Sequence, residues 1–114
     1  MKEMNCIFCQ IAKKELPATI IYEDESFVAF KDINPIAPIH YLIIPKKHIT
    51  SINHLELQDK ELMGELFLAA KKIAKTQGIA DNGYRLVFNV GKDSGQMVDH
   101  LHLHLLGGKK LLWS

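Results

Sequence analysis

At 114 residues, with 47% hydrophobic and 24% charged side chains, the chain has the make-up expected of one soluble globular domain spanning residues 1–114. Fourteen basic residues against thirteen acidic ones leave a formal net charge of +1. That balance gives no electrostatic reason to expect a nucleic-acid or anionic-membrane partner, and Arg85, the one arginine, is too little for the guanidinium forks that read bases.

No apolar run approaches the ~20 residues that cross a bilayer. The first ten residues carry Lys2, Glu3, Cys6 and Cys9 and lack the basic-then-apolar order of a signal peptide. A cytoplasmic location is the expectation, and reducing conditions there disfavour a Cys6–Cys9 disulfide.

In chain order, residues 6–13 read as a short helix with Ile7, Phe8 and Ile11 as its apolar positions, ended by Pro17. Residues 20–23 and 27–31 read as two strands joined at Asp24-Glu25-Ser26. Two prolines and an asparagine make 32–38 a loop. Residues 41–44 are a third strand closed by Pro45. Asn53 and Glu56 have the spacing of a capping box. From about 58 to 77 the period changes to i, i+3, i+4, i+7. Leu62, Leu66, Ala69 and Ile73 form one stripe, and Met63, Phe67, Ala70 and Ala74 form its neighbour, which together predict the main helix. Gly78 is its stop. Gly64, inside it, costs about 1 kcal/mol against Ala and points to close packing or a tolerated cost. Residues 84–90 and 98–106 are the last two strands, separated by a Gly91–Gly95 loop. Strands around one long helix predict an α+β domain with a mostly antiparallel sheet, whose second face is covered by the short helix or by a second subunit.

Six histidines carry the chemistry. His100, His102 and His104 alternate with Leu101, Leu103 and Leu105. On a regular strand this sets three imidazoles ~6.6 Å apart on one side and the leucines on the other. His100 and His104, ~13 Å apart, would not share a metal on such a strand, so the set is more useful if its members divide the labour. The middle one, His102, is the candidate nucleophile or base, since imidazole is largely unprotonated at pH 7. It needs an acceptor on its far nitrogen and donors for a phosphoryl group. The loop 91–96 offers N–H groups, a hydroxyl, an amide and a lysine. His40 is either a core-edge residue or a supporting member of the site, and His54 a surface residue. Lys46 and Lys47 are expected to be solvated.

Cys6 and Cys9 are either two free thiols or, the favoured reading, half of a tetrahedral zinc site that His48 and His100 complete. Four protein ligands leave no open position, so such a metal is structural and ties the N-terminus to the sheet. Asp32, at the end of a strand, suits the two hydroxyls of a ribose, with Ile33 and Phe8 as walls for a base.

The run His100-Leu101-His102-Leu103-His104-Leu105 resembles the histidine triad (HIT) signature. So do Phe30–Pro35, Ala37–His40 and Ile44–His48, then Gly83–Arg85 through Asn89, Gly95-Gln96, and Leu106–Gly108. The resemblance runs over nearly the whole chain and is closest to the Hint-like (protein kinase C inhibitor-like) branch. It implies a HIT-like fold with a five-stranded sheet, one long and one short helix, and a homodimer. It implies hydrolysis of purine nucleoside 5′-phosphoramidates through a nucleotidyl-histidine, releasing AMP or GMP; related branches cleave dinucleoside polyphosphates. On that resemblance His102 is the nucleophile, His104 touches phosphate, His40 is the further site histidine, and His100 supports His102 and ligates zinc. Asn89, Gln96 and the Val98 backbone are phosphate-side, Asp32 binds ribose, and Ile33 and Phe8 flank the base. Met97 departs from the pattern: Hint-like enzymes often carry there a serine that helps the leaving group, and a thioether accepts hydrogen bonds only weakly. The tail keeps Trp113 but departs from the relatives around it.

Overall fold

The computed structural model describes residues 5–113. Lys2, Glu3 and Ser114 lie outside the described residues. The chain forms α1 (Ile7–Ala12), β1 (Ile20–Glu23), β2 (Phe27–Lys31), β3 (Ile39–Pro45), α2 (Lys60–Thr76), β4 (Tyr84–Phe88) and β5 (Leu103–Gly107). Single 3-10 turns lie at Ile52–His54, Leu57–Asp59 and Lys92–Ser94. The five strands make one sheet in the order β1-β2-β3-β5-β4, with every neighbouring pair antiparallel. The predicted α+β architecture is what the molecule adopts. Among the described residues, no helix is long and apolar enough to cross a membrane.

Local chemistry explains the elements. Asp24 closes the β1–β2 hairpin by accepting the N–H groups of Ser26 and Phe27, each at 2.8 Å, as Asp does in turns. Gly78, at φ +78°, ends α2. Its N–H reaches Lys75 O and that of Ile79 reaches Ala74 O, the paired bonds of a Schellman cap.

Strand alternation sends the two faces of the sheet to different partners. On one face Phe27, Ala29, Tyr41, Ile43, Leu103 and Leu105 pack on Leu66, Ala69, Ala70, Ile73 and Ala74 of α2. Leu66 is fully buried, which stabilises the fold by about 1.5–3 kcal/mol. On the other face Val28, Phe30, Leu42 and Ile44 pack on Cys6, Phe8, Cys9 and Ile11. The short helix is therefore a cover for the second face. Phe67 departs from its predicted stripe. It is about half exposed and meets Phe88 edge-on at the β4 side of the sheet, with ring centroids 6.2 Å apart.

Three expectations are corrected. The capping box is formed by Glu56 and Asp59, not Asn53 and Glu56, and Asn53 N–H is instead held by Ser51. Lys47 is not simply solvated: its ammonium binds the buried Asp59 carboxylate at 2.6 Å, while Lys46 pairs with Glu23 at 3.0 Å. The last strand starts at Leu103, not at residue 98. His100 N–H turns back onto Val98 O at 2.8 Å, which breaks the ladder before His100 and His102.

Candidate active site and metal centre

The site lies on the α1 face of the sheet. On β3, His40 shares parity with Leu42 and Ile44. On β5, His104 alternates with Leu103 and Leu105, which face α2. Leu42 and His104 are directly opposed across β3 and β5. His102 and His104 have ring centroids 5.0 Å apart. Phe8 of α1 stands edge-on to His102 at 5.1 Å and to Phe30 at 5.4 Å.

His102 has a defined tautomer. Its Nδ1 lies 2.7 Å from the carbonyl of His100. A carbonyl only accepts, so Nδ1 carries the proton and Nε2 keeps its lone pair. Burial holds the His102 pKa below the ordinary imidazole value, opposed by the His100 carbonyl and the Asp32 charge. The ring is neutral at pH 7 and keeps the Nε2 lone pair.

His104 is neutral as well. Burial, then the neighbouring His102 and His40, push its pKa down to about 4, against Asp32. His40, 6% exposed, accepts the Ile36 N–H on Nδ1 at 3.2 Å and sets Nε2 3.0 Å from His104 Nδ1 and 3.3 Å from Asp32 Oδ2. Burial lowers the His40 pKa and Asp32 partly offsets that.

His102, Phe8, Asp32, Ile33, Met97 and Val98 all line one cavity of about 770 Å³, with Phe30, Asn34 and Leu42. This volume suits a small-molecule ligand, and the cavity combines apolar walls with a carboxylate and an imidazole. Ile33 and Met97 stand 91% and 90% exposed at its mouth.

The loop after β4 holds its own shape. Asn89 Nδ2 donates to Ser94 O at 2.9 Å, and Ser94 Oγ to Gly91 O at 2.7 Å. Gln96 accepts Gly91 N–H at 2.8 Å and donates to Thr50 O and Val98 O at 2.8 and 3.0 Å. The two side-chain amides and the hydroxyl are thus engaged in building the loop. His54 is exposed and bonds Ser51.

Cys6, Cys9, His48 and His100 form a second cluster, whose ligand atoms all lie within 4.8 Å of one another. Neither cysteine is in a disulfide. Cys6 Sγ is 3.2 Å and Cys9 Sγ 3.5 Å from His100 Nδ1, and Cys9 Sγ is 3.2 Å from His48 Nδ1. The edges of a tetrahedron around Zn²⁺ with sulfur and nitrogen ligands are about 3.3–3.8 Å, so the spacing fits. The tautomer fits too. His100 Nε2–H donates to Pro45 O at 2.8 Å, which leaves a lone pair on Nδ1 facing both sulfurs. The four residues predicted as ligands are those the fold brings together.

The backbone partners were invisible in the sequence. Pro45 O and Ile36 N–H fix the tautomers of His100 and His40, yet a carbonyl or amide carries no residue-type signal.

An imidazole with Nδ1 on a backbone carbonyl, two further histidines beside it and a cavity of small-molecule size define a histidine-centred site. The family model for the HIT domain matches residues 13–111, and the chain belongs to that family. Cys6 and Cys9 fall before the matched stretch. The chain is similar to the protein HitA of Neisseria gonorrhoeae, 50% identical over 103 residues, 90% of this chain and 95% of that one. It is similar to a HIT family hydrolase from Legionella pneumophila, with TM-score 0.94 and 53% identity over 96% and 97% of the two chains. More distant structures include a histidine triad nucleotide-binding protein from Candida albicans, with TM-score 0.80 and 32% identity over 96% and 82%. A Zn-bound histidine triad family protein from Mycobacterium smegmatis gives TM-score 0.78 and 31% identity over 94% and 77%.

Proposed function

We propose that the chain hydrolyses nucleoside 5′-phosphoramidates, with purine nucleotides as substrates. His102 Nε2 attacks the α-phosphorus, the P–N bond breaks, and the nitrogen leaves as the amine with a proton taken from water, which the attacking water of the next step gives back to solvent. Water then attacks the nucleotidyl-histidine, releasing AMP or GMP and restoring the imidazole. The observation that carries this reading is the 2.7 Å bond from His102 Nδ1 to His100 O, because it leaves Nε2 bare beside the cavity.

The other residues divide the remaining work. His104, neutral and with Nδ1 facing His40, offers Nε2–H to the phosphoryl oxygens. Asp32 takes the ribose hydroxyls, and Phe8 and Ile33 flank the base. Asn89 and Gln96 hold the loop that presents backbone N–H groups, Val98 included, to phosphate. The similar proteins named as a hydrolase and as a nucleotide-binding protein support this reading.

We assign a structural Zn²⁺ to Cys6, Cys9, His48 and His100, a reading supported by the Zn-bound relative. Four protein ligands close its coordination, so its contribution is to pin α1 and His100 rather than to take part in bond breaking. A homodimer joined along the exposed edge of β4, where Phe67 and Phe88 meet, suits the half-exposed apolar surface there.

The test is AMP release from adenosine 5′-phosphoramidate by wild type and His102→Ala, with acid-quenched samples examined for an AMP adduct. Release and an adduct in wild type, both lost in a folded His102→Ala, are expected. No release by the folded, zinc-loaded protein sinks the phosphoramidase reading. Dinucleoside polyphosphates are then the next substrates. The second reading, nucleotide binding with little turnover, is favoured by one observation. Met97, without a hydroxyl, stands at the cavity mouth.

A further inference from the structure

Ile36, His40 and His104 form a hydrogen-bond chain whose direction is fixed at one end, with the Asp32 carboxylate beside it. The Ile36 N–H can only donate, so His40 Nδ1 accepts it at 3.2 Å and the ring proton of neutral His40 sits on Nε2. That proton goes to His104 Nδ1 at 3.0 Å, and the Asp32 carboxylate lies beside it, with Oδ2 3.3 Å from Nε2, as a charge contact rather than a hydrogen bond. His104 Nδ1 is then an acceptor, so the proton of neutral His104 sits on Nε2. Three ligand-type atoms lie within 4.8 Å here, but the proton on His40 Nε2 orders them as a donor–acceptor chain rather than a cation nest.

Asp32 belongs to both ends of the site. Its N–H donates to His40 O at 3.0 Å, which locks the two backbones together. Its Oδ1 accepts the Asn34 N–H at 2.8 Å. The same carboxylate lines the cavity with Phe8 and His102. One carboxylate therefore faces both the proposed ribose position and the His40 proton.

Building on the nucleotide-hydrolase reading, we propose that Asp32 is a positioning residue for His104, acting through His40, so that ribose hydroxyls govern turnover as well as binding. A hydroxyl donating to Asp32 spreads the charge of that carboxylate and weakens its pull on the His40 Nε2–H. The His40 proton is then held more firmly on His104 Nδ1. His104 is then held with Nε2–H toward the phosphoryl group, where charge grows in the transition state. No proton changes owner in this device; only the competition between the Asp32 charge and the His40–His104 hydrogen bond changes.

The experiment compares adenosine 5′-phosphoramidate with its 2′-deoxy and 3′-deoxy analogues. In wild type, losing a hydroxyl is expected to lower kcat about three- to tenfold, the worth of one hydrogen bond, besides raising KM. In His40→Phe, kcat falls for all three substrates and the ribose-to-deoxyribose ratio of kcat approaches one. The KM ratio persists there, because Asp32 still meets the ribose. His40→Gln, which keeps an N–H donor, recovers part of kcat. A deoxy effect confined to KM in wild type, or a kcat ratio unchanged in His40→Phe, overturns the proposal.

Histidine-ring ¹⁵N spectra of the zinc-loaded wild type decide it independently of turnover. Both His40 and His104 are expected as Nε2–H tautomers, with the His104 Nδ1 resonance moved more by AMP than by deoxy-AMP. An Nδ1–H tautomer of His104, or equal shifts with both ligands, overturns it even if the phosphoramidate is hydrolysed. Unequal shifts without hydrolysis sustain the coupling and defeat the hydrolase reading alone. If His40→Phe does not fold, the wild-type kinetics and these spectra still separate the two outcomes.

Discussion

The carbonyl of His100 accepts the Nδ1–H of His102 at 2.7 Å, while the ring of the same His100 points between Cys6 and Cys9. One residue thus belongs to the cysteine cluster by its side chain and to the proposed nucleophile by its backbone. A second bond, His100 Nε2–H to Pro45 O at 2.8 Å, holds that ring in place. Anything that frees the ring loosens the acceptor that aims His102.

Metal removal is therefore expected to reach the nucleophile. Stripping Zn²⁺ with a chelator, or substituting Cys9→Ser, should lower the melting temperature. It should also lower kcat about ten- to hundredfold, the usual penalty for disturbing groups that orient a site. The nucleotide KM should rise as well, because α1 carries Phe8 beside the proposed base position, while Asp32 and Ile33, outside the cluster, keep part of the binding. Melting curves and steady-state kinetics on protein of verified zinc content check this. Unchanged kcat in demonstrably zinc-free protein disproves the link.

Acid should destabilise the fold through His104. Its folded pKa is lowered from 6.5 to about 4, mainly by burial. Between those values the unfolded chain binds more protons than the folded one, so stability rises with pH across that window and is lost as pH falls through it. The term is on the order of 2 kcal/mol after allowance for partial exposure. His40 is shifted the same way and adds to the slope. Urea unfolding at pH 7.5, 5.5 and 4.5 should show the decline, and His104→Asn should flatten it. An equal slope in both proteins shows that the charge is accommodated elsewhere.

Much of the fold was legible because it is local. The bounds of β1 and β2 follow from β-forming runs around an Asp turn, and α2 from its 3.6-residue period. The zinc-type ligand set was legible from residue chemistry alone. The start of β5 was not. Alternation of His and Leu reads as strand from residue 98, yet the ring of His100 is drawn to cysteines 94 and 91 positions away, and the chain turns at Val98 to permit it. The grouping of Asp32, His40 and His104 was hidden for the same reason. His40 and His104 are 64 positions apart, and the group that sets their direction is the backbone of Ile36.

Met97 offers a chemical test with little structural cost. It is 90% exposed at the mouth of the cavity, so Met97→Ser should change stability by less than about 0.5 kcal/mol. A hydroxyl there can hand a proton to the departing amine. Phosphoramidate kcat is expected to rise about three- to tenfold, a small part of what a well-placed general acid contributes. Leaving amines of graded basicity make the check sharper, with the gain largest for the most basic. A uniform gain, or none, means that protonation of the amine does not limit turnover.

Gly64 gives the last prediction, on stability and association together. It lies inside α2, and a Cβ added there meets nothing within 4 Å among the described residues. No close approach within the chain explains the glycine. Gly64→Ala should then stabilise the protein by about 0.5–1 kcal/mol, because alanine loses less backbone entropy on entering a helix. Two measurements separate the causes: denaturant midpoint, and subunit affinity by sedimentation. A raised midpoint with unchanged association means that the helix simply tolerates the glycine. Weakened association means that a second copy of the chain packs its own backbone against this position, where a methyl group would hold it off.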